Sequence, residues 1–476
     1  VHSENFRTGR ALRFSAPPWS ILAALLIADL VYGFQQTAIT PALPVVRHEL
    51  GASREWTSWL LSGYFIVASV APLLLGKVAD RFGKRRIYLL ALAIFTVGSI
   101  GAAFAPSIGL LVMWRLVQGA GGAVFPLSFS ILRDELPQHR IGPGIGVLTG
   151  GFGLGAAAGF GVGGLITEFA SWRWVFGVGA IALIVAIGLV WAIVPANSVR
   201  TPRRLDTPGA LLFGAAIAAL IIALTEGPSR GWASPLAIGL FVVAAAAVCA
   251  WLLRELRTSD PLMDLTVLAS RPVLFTNIVS MVSGYSVIGV NILVPFLLTA
   301  PDSGAPDAAF GLTAGPLLTG IVLLPRAFGQ SAGGPVTGRI SRWIGPGNAL
   351  AVSLLLAGIG AAGLAFARGT IWLILAELAV VGVGFGLSIS TGSSLVTLAA
   401  APDQTSIAAS INSVLRRVGG GIGAQIAAAL LAADTVAGSG EPSSRAFTVA
   451  FALAGIVAVA GAVLALLIRP DSTPAR

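Results

Sequence analysis

The chain has 476 residues, 56% of them hydrophobic and 11% charged, with a mean hydropathy of +0.88. Soluble proteins usually carry about 25% charged residues, so this composition excludes a soluble globular domain and indicates an integral membrane protein. The net charge of +10 rests on 30 basic residues, only Lys77 and Lys84 being lysine; arginine-rich cytoplasmic loops account for it better than nucleic acid does.

Fourteen apolar stretches follow in chain order, near 19–44, 56–75, 87–106, 108–132, 144–167, 174–195, 208–225, 235–253, 273–299, 313–336, 347–367, 371–398, 405–433 and 447–468. Each is about the length that crosses a 30 Å hydrocarbon core. All are predicted helical, because lipid cannot satisfy irregular backbone. The first is too long for a cleaved leader. With the N-terminus inside, twenty basic residues fall in cytoplasmic segments, six in outer segments and four within spans. That bias predicts a multi-pass protein with both termini cytoplasmic, and the excess of Arg over Lys among so much Ala and Gly suggests a bacterial inner membrane.

Asp29 lies about ten residues into span 1, roughly 15 Å deep at 1.5 Å per residue. A carboxyl with little water around it favours its neutral form, which suits a group that binds and releases protons. Between spans 2 and 3 comes GKVADRFGKRR (76–86), and a degraded copy, GRISRWIG, stands at 338–345 with Arg342 in place of Asp80. Span 4 carries Arg115. Span 5 has Gly151, Gly155, Gly159 and Gly163, a four-residue ladder that suits close helix packing and a sliding surface between halves. Arg326, Arg416 and Arg417 fall in the inner halves of their spans, placed to snorkel or to cap helix carbonyls. Glu377 is an acid within span 12.

The two charged loops are 262 residues apart, and the same offset carries span 3 onto span 11 and Arg115 onto Glu377. This predicts two parallel six-helix halves, 1–198 and 259–476, with two linker helices inserted over 199–258. Arg115 and Glu377 are then expected at similar depth on opposite cavity walls. Enzyme chemistry finds little footing. Cys249 is the sole cysteine, and His2, His48 and His139 lie in separate loops. No G-x-x-x-x-G-K-[ST] occurs, so neither a metal cluster nor an ATP site is expected, and no cofactor.

In combination the motifs resemble the major facilitator superfamily, in its fourteen-helix drug–proton antiporter branch. GKVADRFGKRR resembles the loop 2–3 signature, Arg115-Leu-Val-Gln-Gly119 the span 4 motif, and Ser171-Trp-Arg-Trp-Val-Phe176 the start of span 6. Asp206-Thr-Pro-Gly209, Glu226-Gly227, Gly231-Trp232 and Asp260-Pro-Leu-Met-Asp-Leu265 resemble linker-helix segments, and Leu324-Pro-Arg326 and Arg416-Arg-Val-Gly419 the C-terminal half. There are two departures. Gln35 stands where the branch usually has an acid, nine residues before Pro44, and Phe160 replaces the proline of the span 5 motif.

The resemblance implies an all-α major facilitator fold and a monomeric exporter of small amphipathic or hydrophobic compounds, working by alternating access with proton antiport. Asp29 is then the leading proton carrier, with Glu377 and Arg115. Phe34, Gln35, Gln36, Trp59, Tyr285 and Asn291 are the expected cavity lining. Gly76, Asp80, Arg81, Gly83 and Arg85 form the expected gate, with glycine turns at both helix ends and Asp80 as a latch. Two cavity acids would favour cationic substrates, though Arg115 leaves room for anions. Membrane lipid surrounds the chain. Export of a lipid or endogenous metabolite with altered ion coupling is the alternative, and a non-transport polytopic protein the distant one.

Overall fold

A computed structural model describes residues 17–52, 54–196, 206–258, 268–299, 315–366, 370–400, 405–436 and 442–468. The 260–265 motif lies outside the described residues. The first half comprises α1 (Pro18–Thr37), a short α2 (Leu43–Glu49), α3 (Arg54–Phe82), α4 (Lys84–Ala103), α5 (Ile108–Gln118), α6 (Val124–Glu135), α7 (Gln138–Phe169) and α8 (Arg173–Ile193). A 3-10 segment, Gly119–Ala123, joins α5 and α6 into one rod. Next come α9 (Thr207–Arg230) and α10 (Pro235–Glu255). The second half is α11 (Arg271–Thr299), α12 (Pro316–Ile344), α13 (Pro346–Phe366), α14 (Ile371–Ala399), α15 (Thr405–Ala433) and α16 (Ser444–Ala465).

Twelve segments among the described residues are long and apolar enough to cross a membrane. The other two long rods are α9, whose apolar stretch is Leu211–Leu224, and α12, which carries Arg326, Arg339 and Arg342. With them the bundle has fourteen rods among the described residues, and the expected all-helical membrane fold is observed.

Local chemistry sets the helix ends. Ser107, Ser234 and Ser443 accept from the amides of Leu110, Ala237 and Ala446, the usual N-cap arrangement. Asp206 caps α9 through the Gly209 amide at 3.1 Å and is held by Arg254 of α10 at 2.8 Å. That is what the Asp-Thr-Pro-Gly segment does here. The turn after α3 falls on Gly83 alone, at φ 106°, a conformation that needs glycine. Residues 76–82, expected as loop, are the last two turns of α3. Gly76 therefore sits inside a helix and makes no turn. Hydrophilic side chains do not break a helix at a bundle end, where no proline or strained backbone intervenes.

The internal repeat is visible in these bounds. Adding 262 to Arg54–Phe82 gives Pro316–Ile344, and Gly83 maps onto Gly345, whose φ is 83°.

The glycine ladder of α7 packs inside its own half. Gly151 meets the Leu26 side chain, and Gly155, Gly159 and Gly163 meet the backbone of Leu30, Phe34 and Ala38 on α1. The seam between halves uses another face of α7, where Gly146 and Gly150 touch Gly334 and Ser331 of α12. The expected sliding surface is thus a different glycine set, because an i, i+4 ladder points to one neighbour only. α7 runs unbroken through Phe160, whose side chain packs among Val290, Leu293 and Val322 of the other half. A second seam joins α3 to α15, and α9 covers it with Phe213, Ile217 and Ile221 beside Ile66 and Val414.

Candidate functional site

Asp29 is fully buried in the first half, among α1, α4 and α6. Ser128 Oγ lies 2.7 Å from Asp29 Oδ2 and 2.7 Å from the Phe125 carbonyl oxygen. A hydroxyl has one hydrogen and cannot serve both acceptors. Both contacts become hydrogen bonds when Asp29 brings a proton, donating to Ser128 Oγ, which then donates to Phe125. Asp29 Oδ1 has no hydrogen-bond partner, and no Lys or Arg among the described residues acts on the carboxyl; Tyr88 on α4 is its titratable neighbour.

Gln35 points elsewhere. Six residues along a helix turn the side chain by about 240°, and Gln35 Nε2 donates to Ser99 Oγ of α4 at 2.9 Å. Ser99 Oγ also accepts from Gln118 Nε2 at 2.8 Å and donates to the Phe95 carbonyl. Gln118 Oε1 accepts from Arg115 Nη1 at 2.8 Å. The chain Gln35–Ser99–Gln118–Arg115 therefore ends on a guanidinium. Arg115 is fully buried, donates from Nε to the Leu60 carbonyl at 3.0 Å, and stacks 4.4 Å from the Tyr64 ring centroid. Its Nη2 has no acceptor among the described residues.

At the seam, Arg417 of α15 reaches into the first half. It donates to the carbonyls of Ala68 and Gly122 and, at 3.0 Å, to the Tyr32 hydroxyl. Ala68 lies four residues before Pro72 and Gly122 four before Pro126. Proline has no N–H, so neither carbonyl has an i+4 amide to accept from. Arg417 takes the two acceptors that the prolines free. Arg416, buried beside it, bonds Asn412 Oδ1 at 3.2 Å, and Asn412 Nδ2 donates to Asn277 and Ser280 of α11. Arg326 is buried over the Phe160 ring, with a long 3.5 Å contact to Gln330. None of the three snorkels to a surface.

Glu377 does not oppose Arg115. It is partly buried within its own half, its carboxylate against Gly363 of α13. Trp114 holds the corresponding position in the first half, against Gly101, which maps onto Gly363 by the 262 offset. The cause is a one-residue slip: α5 starts at Ile108 and α14 at Ile371. One residue is about 100° of rotation, enough to move the acid from the Arg115 position to the Trp114 position. Neither acid faces the seam.

The other expected lining residues are dispersed. Phe34 packs with Ala38 and Val175 inside the first half, and Trp59 packs partly buried beside Ile66. Gln36 is partly buried, and the buried Asn291 Oδ1 has no partner. Tyr285 borders a gap of about 10 Å³, room for about one water, with Gly289, Leu293 and Ala454, between α11, α15 and α16. Of the gate residues, Asp80 is buried, Arg81 is exposed over Phe82, and Arg85 donates to the Trp191 carbonyl.

Contacts of three further side chains, Lys84, Arg133 and Ser410, escape a sequence reading. Lys84 pairs with Asp134 at 2.8 Å. Arg133 of α6 donates to Thr397 O and, at 2.7 Å, to Thr405 Oγ1, which joins the two halves. Ser410 Oγ donates to the Pro72 carbonyl at 2.8 Å. The run Arg133-Asp-Glu135 at the end of span 4 was the available signal.

Fourteen rods, a two-fold repeat and buried charges at the seam set a specific frame for comparison. The profile of the Major Facilitator Superfamily matches residues 25–424. The chain belongs to the major facilitator superfamily. It is a transporter and not an enzyme. The tetracenomycin C resistance and export protein of Streptomyces glaucescens is 29% identical over 87% of this chain and 76% of its own length. The puromycin resistance protein pur8 of Streptomyces alboniger is 31% identical over 96% of this chain and 92% of its own length. Among solved structures, the human organic anion transporter MFSD10 (TETRAN) matches with a TM-score of 0.69 at 14% identity, over 94% of this chain and 99% of that one. At that identity the match speaks for the superfamily fold alone.

Proposed function

We propose that this transporter exports small amphipathic or hydrophobic compounds by alternating access, in exchange for protons carried by Asp29. The observation that carries the reading is the Asp29–Ser128–Phe125 geometry, a buried carboxyl whose contacts close only when it holds a proton. The relatives named for tetracenomycin C export and puromycin resistance support a drug-type cargo. The arginine bias supports a cytoplasmic Gly83 end, and the Arg-, Ala- and Gly-rich composition supports a bacterial inner membrane. In that orientation, the Arg133 contacts belong to a state closed to the cytoplasm. Tyr32, one helical turn after Asp29, takes a hydrogen bond from Arg417. Proton loss that shifts α1 is therefore felt at the seam. One chain contains both halves, which supports a functional monomer.

Asp29→Asn tests the reading. Asn keeps the size and polarity of the side chain but cannot release a proton. In proteoliposomes with an imposed proton gradient, uphill efflux of ethidium should fall at least tenfold while its binding is retained. Undiminished uphill efflux would remove Asp29 from the mechanism. Gln35→Asp in that background asks whether an acid on the Ser99 chain restores coupling.

A further inference from the structure

The guanidiniums in and beside the seam are of one sign, two of them buried and Arg417 partly so. Arg115, Arg416 and Arg417 surround Tyr32 and Tyr64, and Tyr64 lies within electrostatic reach of Arg115, Arg417 and Tyr32. Arg416 lies within reach of Arg417 and Tyr32. No carboxylate among the described residues meets these guanidiniums. Asp29 is turned toward Ser128 and Glu377 toward Gly363. Every acceptor the arginines use is neutral: the carbonyls of Leu60, Ala68 and Gly122, the amide oxygens of Gln118 and Asn412, and a tyrosine hydroxyl. One fully buried donor, Arg115 Nη2, has no acceptor among the described residues, and the Tyr64 hydroxyl beside it is turned to another hydroxyl, that of Tyr32. When the halves part, Arg417 loses three acceptors at once, since all of them belong to the opposite half. A partly buried cation stripped of its partners needs an anion or water in their place.

We propose that Arg115 and Arg417, with Tyr64, form the binding site for an acidic group on the exported compound: a carboxylate, sulfonate or ionised phenol on an aromatic body. This rests on the exporter reading above and reverses the cationic preference that two seam-facing acids would have given. The acid group takes the free Nη2, the Tyr64 hydroxyl turns to it from Tyr32, and the aromatic body packs on the Tyr32 and Tyr64 rings. Charge bookkeeping then gives a signature. With one proton exchanged, export of a monoanion moves two charges, a neutral compound one, and a monocation none. A potential of 100 mV, negative on the side the compound leaves, supports a limiting accumulation ratio of roughly 10³ for the anion, against roughly 50 for the neutral compound.

The test uses 8-anilinonaphthalene-1-sulfonate, its uncharged relative N-phenyl-1-naphthylamine, and ethidium, with the full chain in nanodiscs for equilibrium dialysis and in proteoliposomes for flux. The sulfonate should bind at least tenfold more tightly than the uncharged relative, after subtraction of empty discs. Arg115→Gln should abolish that difference, and Arg115→Lys should keep part of it. Gln35→Asp provides an independent arm if Arg115→Gln fails to fold. It places a carboxylate on the Ser99–Gln118 chain leading to Arg115, and should weaken sulfonate binding while sparing the uncharged relative. Equal binding of the two naphthalenes, or sulfonate binding indifferent to both variants, overturns the anion site. Asp29-dependent ethidium efflux would still stand in that case. Arg115-dependent sulfonate binding with no probe moving uphill would instead overturn the exporter reading and leave the site.

Discussion

Arg417→Gln should loosen the seam. The side chain crosses between halves to Ala68, Gly122 and Tyr32, and hydrogen bonds to a charged group contribute about 1.5–3 kcal/mol each. Arg417 is only partly buried, so the lower figure applies. A glutamine retains one bond of the three, and the loss is about 3 kcal/mol. That shifts the balance between touching and parted halves by roughly 10²-fold. Spin labels on cysteines at Phe82 and Trp343, both exposed at the Gly83 end of opposite halves, report the separation by pulsed electron resonance once Cys249 is replaced by alanine. The variant should populate a longer distance, and Arg417→Lys should fall between it and the parent. If the distance distributions of Arg417→Gln and parent superimpose, the seam is not held by this residue, and the account of Pro72 and Pro126 fails with it.

Two further substitutions probe packing and gating. Gly155→Ala puts a methyl into the Leu30 backbone, while Gly188→Ala on α8 meets nothing within 4 Å. Overpacking of this kind costs about 1–3 kcal/mol, so only the first should lower the melting temperature followed by fluorescence-detected gel filtration. Asp80→Asn should weaken the Gly83-end closure by about 1–2 kcal/mol, the range for charge-assisted contacts at helix ends. Arg342→Asn should do less, because Arg342 is exposed and among the described residues bonds the Gly338 carbonyl of its own helix alone. Equal rates of cysteine labelling in these two variants would reduce the charged turn to an anchor.

Hydropathy made the rods legible because lipid leaves the backbone no alternative to a helix, and the 262-residue offset survives in structure down to Gly83 and Gly345. The site was less legible. A gapless offset paired Arg115 with Glu377, but helix facing is sensitive to single residues, and α14 begins one residue late. Asp29 was conspicuous as a lone acid in an apolar run. Its partner Ser128 was not, because serines are common in these spans and only the fold brings α6 against α1. The glycine ladder marked a close approach without naming the neighbour, since α1 and α12 lie on different faces of the same helix. The acceptors of Arg417 were the part most nearly within reach. Pro72 and Pro126 each free the carbonyl four residues earlier, and a span arginine in the opposite half is a natural donor for them.

That choice of acceptor bears on how the protein moves. An Arg–carboxylate pair across the seam would combine full charge attraction with hydrogen bonds in a region of low dielectric, where such attraction is largest and breaking the pair leaves a buried charge alone. Halves joined in that way would part slowly. Carbonyls freed by proline make a weaker contact, and they leave the guanidinium's charge uncompensated while the contact lasts. α3 and the rod of α5 and α6 each leave one carbonyl without an i+4 amide, so the parted state exposes two carbonyls that water can reach and one cation that an acidic substrate can reach. The same arrangement that holds the seam by neutral acceptors keeps Arg417 available to a charged one.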